Sequence, residues 1–125
     1  MRRQAFKALA ALALGTLILG ATQVPAYADT DCESGHFCAW DGANYSGNKV
    51  IDSTAAFGTT NVDVPDNVVS SVKNLTGNRW CGVNNGFPGD DTVLNVAPNT
   101  RLGSIGGADN KIDHFYVRGG NWGCS

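Results

Sequence analysis

Shifted along itself by 42 or 43 residues, this chain meets its own pattern. Tyr45-Ser46-Gly47 falls on Phe87-Pro88-Gly89 at an offset of 42. Asp66-Asn67 falls on Asp109-Asn110, Val69 on Ile112 and Val72 on Phe115, each at an offset of 43. One inserted residue between the halves reconciles the two offsets. A repeat of this length means two supersecondary units, each burying a face against the other. The second copy is degraded, with Gly82 where Trp40 predicts an aromatic.

Inside each unit the signals are those of strands. "KVI" (49–51), "VVSSVKNL" (68–75), "TVLNV" (92–96) and "HFYVR" (114–118) are short and rich in β-branched and aromatic residues. Clusters such as "VPDN", "TGN", "NNGFPGDD", "APNT" and "GGADN" separate them. Helix signals are poor. The pattern predicts an all-β sandwich or barrel made of two four-strand units. The stretch "WDGANYSG" (40–47) combines turn residues with two large aromatics. It predicts a hairpin folded back on the sheet, with Trp40 and Tyr45 packed beneath and Gly47 at a backbone angle that a side chain would oppose.

The first 28 residues lie apart from this pattern. Arg2, Arg3 and Lys7 precede an apolar run, and Ala26-Tyr27-Ala28 is a small-x-small cleavage site. Residues 1–28 are expected to be a secretory signal peptide, too short in its apolar run to be a membrane span. With 28 of 125 residues removed, 97 remain, enough for one small domain over 29–125. The expected Greek keys cover about 36–77 and about 78–120. Removing the three leading cations leaves six Lys and Arg against eleven Asp and Glu, a net charge of −5. Such a surface does not suit a phosphate backbone, so nucleic acid is not an expected partner.

All four cysteines, Cys32, Cys38, Cys81 and Cys124, lie in the mature part. An even count in a small secreted chain argues for two disulfides. Three connectivities are possible. Cys32 and Cys38 are near neighbours flanking Gly35, so a local loop is plausible, which leaves Cys81 with Cys124. The longer loop would contribute about 4 kcal/mol in the chain-entropy account. Zinc is the weaker alternative, because there is no CxxC pair and His36 and His114 are not spaced as ligands.

Trp40-x4-Tyr45-x-Gly47 resembles the Greek-key signature of βγ-crystallins. "DNVVSS", Asp66 to Ser71, is similar to their second signature, with Gly47 and Ser71 about two dozen residues apart. The second repeat departs from it, since Asp113 and His114 replace the two serines. The resemblance implies a βγ-crystallin-like double Greek-key sandwich, here stapled by disulfides. "CESGHFCAWDGANYSG" and "NLTGNRWC" also resemble the secreted peptidase inhibitor family I36, which is built on that fold. "NVAPNTRLGSI" (95–105) is similar to a strand and turn of its metalloproteinase-inhibitor member.

Two chemistries follow from the resemblance. The first is inhibition by a rigid loop, which loses little entropy on docking. The segment Arg79 to Asp91 is expected to be that loop, with Cys81, Gly82 and Val83 as its contact core and Trp80 and Phe87 filling a specificity pocket. The second is calcium, which wants hard oxygen donors. Asp66, Asn67 and Ser70, with Asp109, Asn110 and Asp113, are the candidate ligands, joined by the backbone carbonyls of Val68 and Lys111. The plain alternative is that these groups hydrogen-bond their own turns.

Catalysis lacks support. There is no G-x-S-x-G, no H-E-x-x-H and no phosphate-binding glycine loop. A relay through His36 or His114 has no specificity in a chain with ten aspartates. Asp90-Asp91 read as a solvated turn. Asn44-Tyr45-Ser46 and Asn74-Leu75-Thr76 are formal sequons. The expectation is a secreted, monomeric, non-enzymatic inhibitor of a secreted metalloprotease, requiring no cofactor. The alternative is a calcium-binding module with a structural, stress or toxin-like role.

Overall fold

The computed structural model describes residues 29–124. The expected signal peptide lies outside the described residues. Among them are eight strands and no α-helix. In chain order they are β1 (Phe37–Trp40), β2 (Lys49–Ser53), β3 (Val62–Asp63), β4 (Ser71–Asn74), β5 (Arg79–Asn84), β6 (Asp91–Val96), β7 (Thr100–Leu102) and β8 (His114–Arg118). Short 3-10 turns follow β1 at Ala43–Tyr45 and β7 at Gly106–Ala108.

The strands form two four-stranded antiparallel sheets, ordered β2-β1-β4-β7 and β3-β8-β5-β6. Each repeat therefore lends its third strand, β3 or β7, to the sheet built by the other. This is a sandwich of two interlocked Greek keys.

The register dates the two halves to one pattern. Ala39 pairs with Val72 and Ile51, while Gly82 pairs with Phe115 and Leu94. Every one of those partners is 43 residues from its counterpart. A bulge lies between Ala39 and Trp40, and another between Gly82 and Val83, at the same place in each repeat. The structural equivalent of Trp40 is thus Val83. Gly82 answers to Ala39, which corrects the alignment drawn from the aromatic-x-glycine match.

Phe37, Trp80 and Phe115 fill the space between the sheets and are fully buried. Phe37 and Trp80 stack at 4.1 Å and 6°, and Phe115 closes on Phe37 at 4.9 Å. Val69, Val72, Val96, Ile112 and Val117 are among the buried residues packed with them in this core. The period of two is clear in β1. Phe37 and Ala39 face the core, whereas Cys38 and Trp40 join Cys32 in a second cluster with Tyr45 and Leu75. The outer face of that strand is therefore also covered, which explains why all four residues are buried.

Two disulfides staple the molecule, Cys32–Cys38 and Cys81–Cys124. The second ties the C-terminal tail to the middle of β5. Asn74 joins the two keys. Its amide nitrogen donates to the carbonyls of Asn78, Val96 and Ala97, and its oxygen accepts from the Thr76 N–H and hydroxyl. A buried amide this fully engaged fixes the linker rather than serving as a glycan acceptor.

Some strands differ from the sequence reading. β4 begins at Ser71, because Val68 and Val69 belong to the preceding arc. Arg79 to Asn84 is a strand and not a loop. Gly82 sits within it for want of space: a Cβ there would lie 2.9 Å from Ile112 Cδ1 and 3.2 Å from Phe115 Cε1.

Candidate functional site

The two hairpins β1–β2 and β5–β6 occupy equivalent places, and their corners differ. In the first, Asn44 and Tyr45 take left-handed φ angles of 54° and 62°, followed by Gly47 at 77°. A left-handed tyrosine is strained. Ser71 holds it there: its hydroxyl accepts the Tyr45 N–H at 2.9 Å and donates to the Gly42 carbonyl at 2.6 Å. Asp41 accepts from the Asn48 backbone N–H at 2.8 Å, and Tyr45 packs edge-on to Trp40 at 5.5 Å. Lys73 Nζ stands 4.5 Å from the Tyr45 ring and 2.7 Å from Asp31 Oδ1. Tyr45 is half-buried by this arrangement, less deeply than the sequence suggests.

The second corner keeps none of these angles. No residue from Asn84 to Asp90 has a positive φ. His114 stands where Ser71 stands in the first repeat, and Pro88 where Tyr45 stands. Phe87 is 98% exposed, so it does not do for this corner what Tyr45 does for the first. Its loop, Asn85 to Asp90, is exposed throughout. The stem is held by the Asn84–Asp91 pair and by the Asn85 N–H, which donates to Asp113 Oδ2 at 2.7 Å.

Of the five residues expected to form an inhibitory loop, only Phe87 is presented to solvent. Trp80 and Cys81 are fully buried, Val83 is 5% exposed and Gly82 is buried between them. They lie on β5, which is hydrogen-bonded on both sides. Trp80 would have to leave its stack on Phe37 to enter another protein's pocket. The expected contact core thus belongs to the fold core, and the accessible part of the segment begins at Asn85.

The two Asp-Asn arcs face one another. Asn67 and Asn110 share a left-handed φ of 59°. The Asn67 N–H donates to the Ile112 carbonyl and the Asn110 N–H to the Val69 carbonyl. Ser70 Oγ donates to Asp109 Oδ1 at 2.5 Å, so it bonds the opposite turn and not its own. Asp66, Asn67, Asp109, Asn110 and Lys111 are exposed, and Val68, Ser70 and Asp113 are half-buried. Among the described residues no three Asp, Glu, His or Cys side chains gather closely enough to hold a metal. Hard oxygens do converge at Ser70 and Asp109, while Asp113 spends one oxygen on Asn85.

Residues 25–86 match the model of peptidase inhibitor family I36. Over this stretch the chain carries the sequence pattern of that family. The I36 match takes in the whole first Greek key and β5, and ends one residue before Phe87. No curated protein and no solved structure matches the chain. A match to a peptidase inhibitor family is consistent with a non-catalytic protein. His36 Nδ1 lies 2.5 Å from Asp52 Oδ1, and Lys49 Nζ lies 3.1 Å from Asp52 Oδ2. The His36 hydrogen bond, with help from Lys49, holds the Asp52 carboxyl below its ordinary range. This is an ion cluster at the surface of the first repeat.

Two groups were not legible beforehand as site residues in these roles. Asp113 grips the exposed loop, and its only sequence signal is the departure from serine. Phe57 and Trp122, 63% and 59% exposed, flank Gly119 at the end of the β5–β8 pair opposite the loop.

Proposed function

We propose that the protein is a secreted peptidase inhibitor that docks through the exposed loop Asn85 to Asp90, with Phe87 entering a specificity pocket of a metalloprotease. The observation that carries this reading is a fully presented aromatic ring on a pinned stem, in a chain whose first key is I36. An unpacked phenylalanine is costly to leave in water and is recovered on binding, the usual behaviour of an interface anchor. The paired Asn84 and Asp91 and the Cys81–Cys124 bridge beneath them limit the entropy lost on docking. Pro88 fixes one further dihedral at the tip. The test is a titration of residues 29–125 into thermolysin, with chymotrypsin-type serine proteases alongside. A sharp stoichiometric endpoint with the metalloprotease is expected. A folded protein that inhibits none of them would overturn the reading.

A calcium role is the second reading, supported by the convergence of Ser70 Oγ and Asp109 Oδ1 from opposite repeats. Calcium takes six to eight oxygens, so backbone carbonyls such as that of Val68 and water would supply the remainder. Such a set gives weak affinity and would serve the scaffold. Thermal melts with and without millimolar calcium test it, with a rise lost in Asp109→Ala as the supporting result.

A further inference from the structure

We propose that Asp113 is the positioning residue of the exposed loop: its carboxylate accepts the Asn85 N–H and so sets where the chain leaves β5 and where Phe87 is presented. This rests on the inhibitory reading above. The two repeats supply the argument. The Asp113 N–H donates to the Val83 carbonyl at 2.8 Å, as the Ser70 N–H donates to the Trp40 carbonyl at 2.9 Å. The backbone is thus the same in both, and the side chains part company. Ser70 reaches across to Asp109, whereas Asp113 reaches up to Asn85 at 2.7 Å.

Asn85 is the equivalent of Gly42, the residue that Ser71 secures in the first corner. In the second repeat His114 replaces that serine, and the corner's root is held from one residue back and by a bond of the opposite sense: Ser71 donates to the Gly42 carbonyl, whereas the Asp113 carboxylate accepts the Asn85 N–H. A carboxylate accepting an amide N–H makes a stronger bond than a neutral oxygen does. It grips only the root. Everything beyond it, from Gly86 to Asp90, is left exposed. The sequence departure at Asp113 therefore has a use: it converts a corner folded onto the sheet into one held at its base and open at its tip. Fixing the exit of a loop lowers the ordering cost when its tip docks.

The experiment compares Asp113→Ala, Asp113→Ser and Asp113→Asn in the mature protein. Two quantities are read, the inhibition constant against thermolysin and the hydrogen exchange of the Asn85 amide. Alanine has no acceptor and serine is too short, so both are expected to speed Asn85 exchange and to weaken inhibition about tenfold. Asparagine keeps an oxygen at the right reach and is expected to restore both. Phe87→Ala is expected to weaken inhibition while leaving Asn85 exchange as it was. Unchanged exchange in Asp113→Ala, or faster exchange with unchanged inhibition, would overturn the proposal. If Asp113→Ala does not fold, serine against asparagine gives the same comparison. Failure of the native protein to inhibit overturns the inhibitory reading and this role with it. Failure of the Asp113 series alone overturns only this role.

Discussion

The corners at Asp41–Asn48 and Asn84–Asp91 join strands in the same register and have the same length, yet one is closed and the other open. The closed corner tolerates two left-handed side-chain-bearing residues because a serine hydroxyl and an aromatic pair hold them. The open corner has given up that strain together with the groups that offset it. A repeat thus lets one copy remain a structural cap while the other, in the inhibitory reading proposed above, is released for contact. The price of release is an exposed phenylalanine, which a partner can recover.

Each disulfide belongs to one corner's strand, so removing them in turn is the coarsest way to separate the two. Replacing Cys81 and Cys124 by serine opens a loop of sequence separation 43 and is expected to cost about 4 kcal/mol. Replacing Cys32 and Cys38 opens a separation of only 6 and should cost about 2.5 kcal/mol. Equal losses in denaturant titrations would contradict the loop-length account.

Phe87→Ala and Tyr45→Ala should then exchange phenotypes. The first is expected to weaken inhibition by roughly 30- to 100-fold with little change in melting temperature. The second should lose about 2 kcal/mol of stability with inhibition nearly intact. Ser71→Ala should cost about 1–3 kcal/mol, since it leaves a part-buried carbonyl and the N–H of a left-handed tyrosine without their partner.

The glycines sharpen the contrast further. Gly47→Ala places a Cβ 2.2 Å from Asp41 Oδ1 at a φ of 77° and should cost at least about 1 kcal/mol. Gly89→Ala, with nothing within 4 Å and no positive φ, should be close to neutral. Similar melting shifts for the two would mean that the corners are alike after all. The smallest effect concerns pH. Asp52 has a lowered carboxyl pKa, so its contribution is present above the ordinary carboxylate range and lost as pH falls through the depressed value. Because the group is largely exposed, Asp52→Asn should remove well under 1 kcal/mol at neutral pH and flatten only the acid limb of the stability curve.

Much of this architecture was legible in the chain. The Asp66-Asn67 and Asp109-Asn110 matches carry the true offset, because both arcs need the same left-handed asparagine. The Trp40-x4-Tyr45-x-Gly47 corner could be read from turn chemistry and aromatic burial. The second corner misled because Phe87-x-Gly89 imitates that spacing one residue out of register. Arg79 to Asn84 misled for a related reason. A glycine and a cysteine suggest a loop, and only the packing of Ile112, Leu94 and Phe115 shows why a strand needs Gly82. Asp113 could be seen as a departure, but the bond it makes depends on a loop 28 residues earlier.

The exchange of β3 and β7 between sheets bears on what happens when a protease succeeds in cutting the loop. A scission between Asn85 and Asp90 leaves β1 to β5 on one fragment and β6 to β8 on the other. Those fragments share both sheets, and Cys81–Cys124 joins them covalently across the break. The cut makes no pieces. The new termini stay tethered at their stems, a nick rather than a product, and the two sheets still hold both halves of the chain.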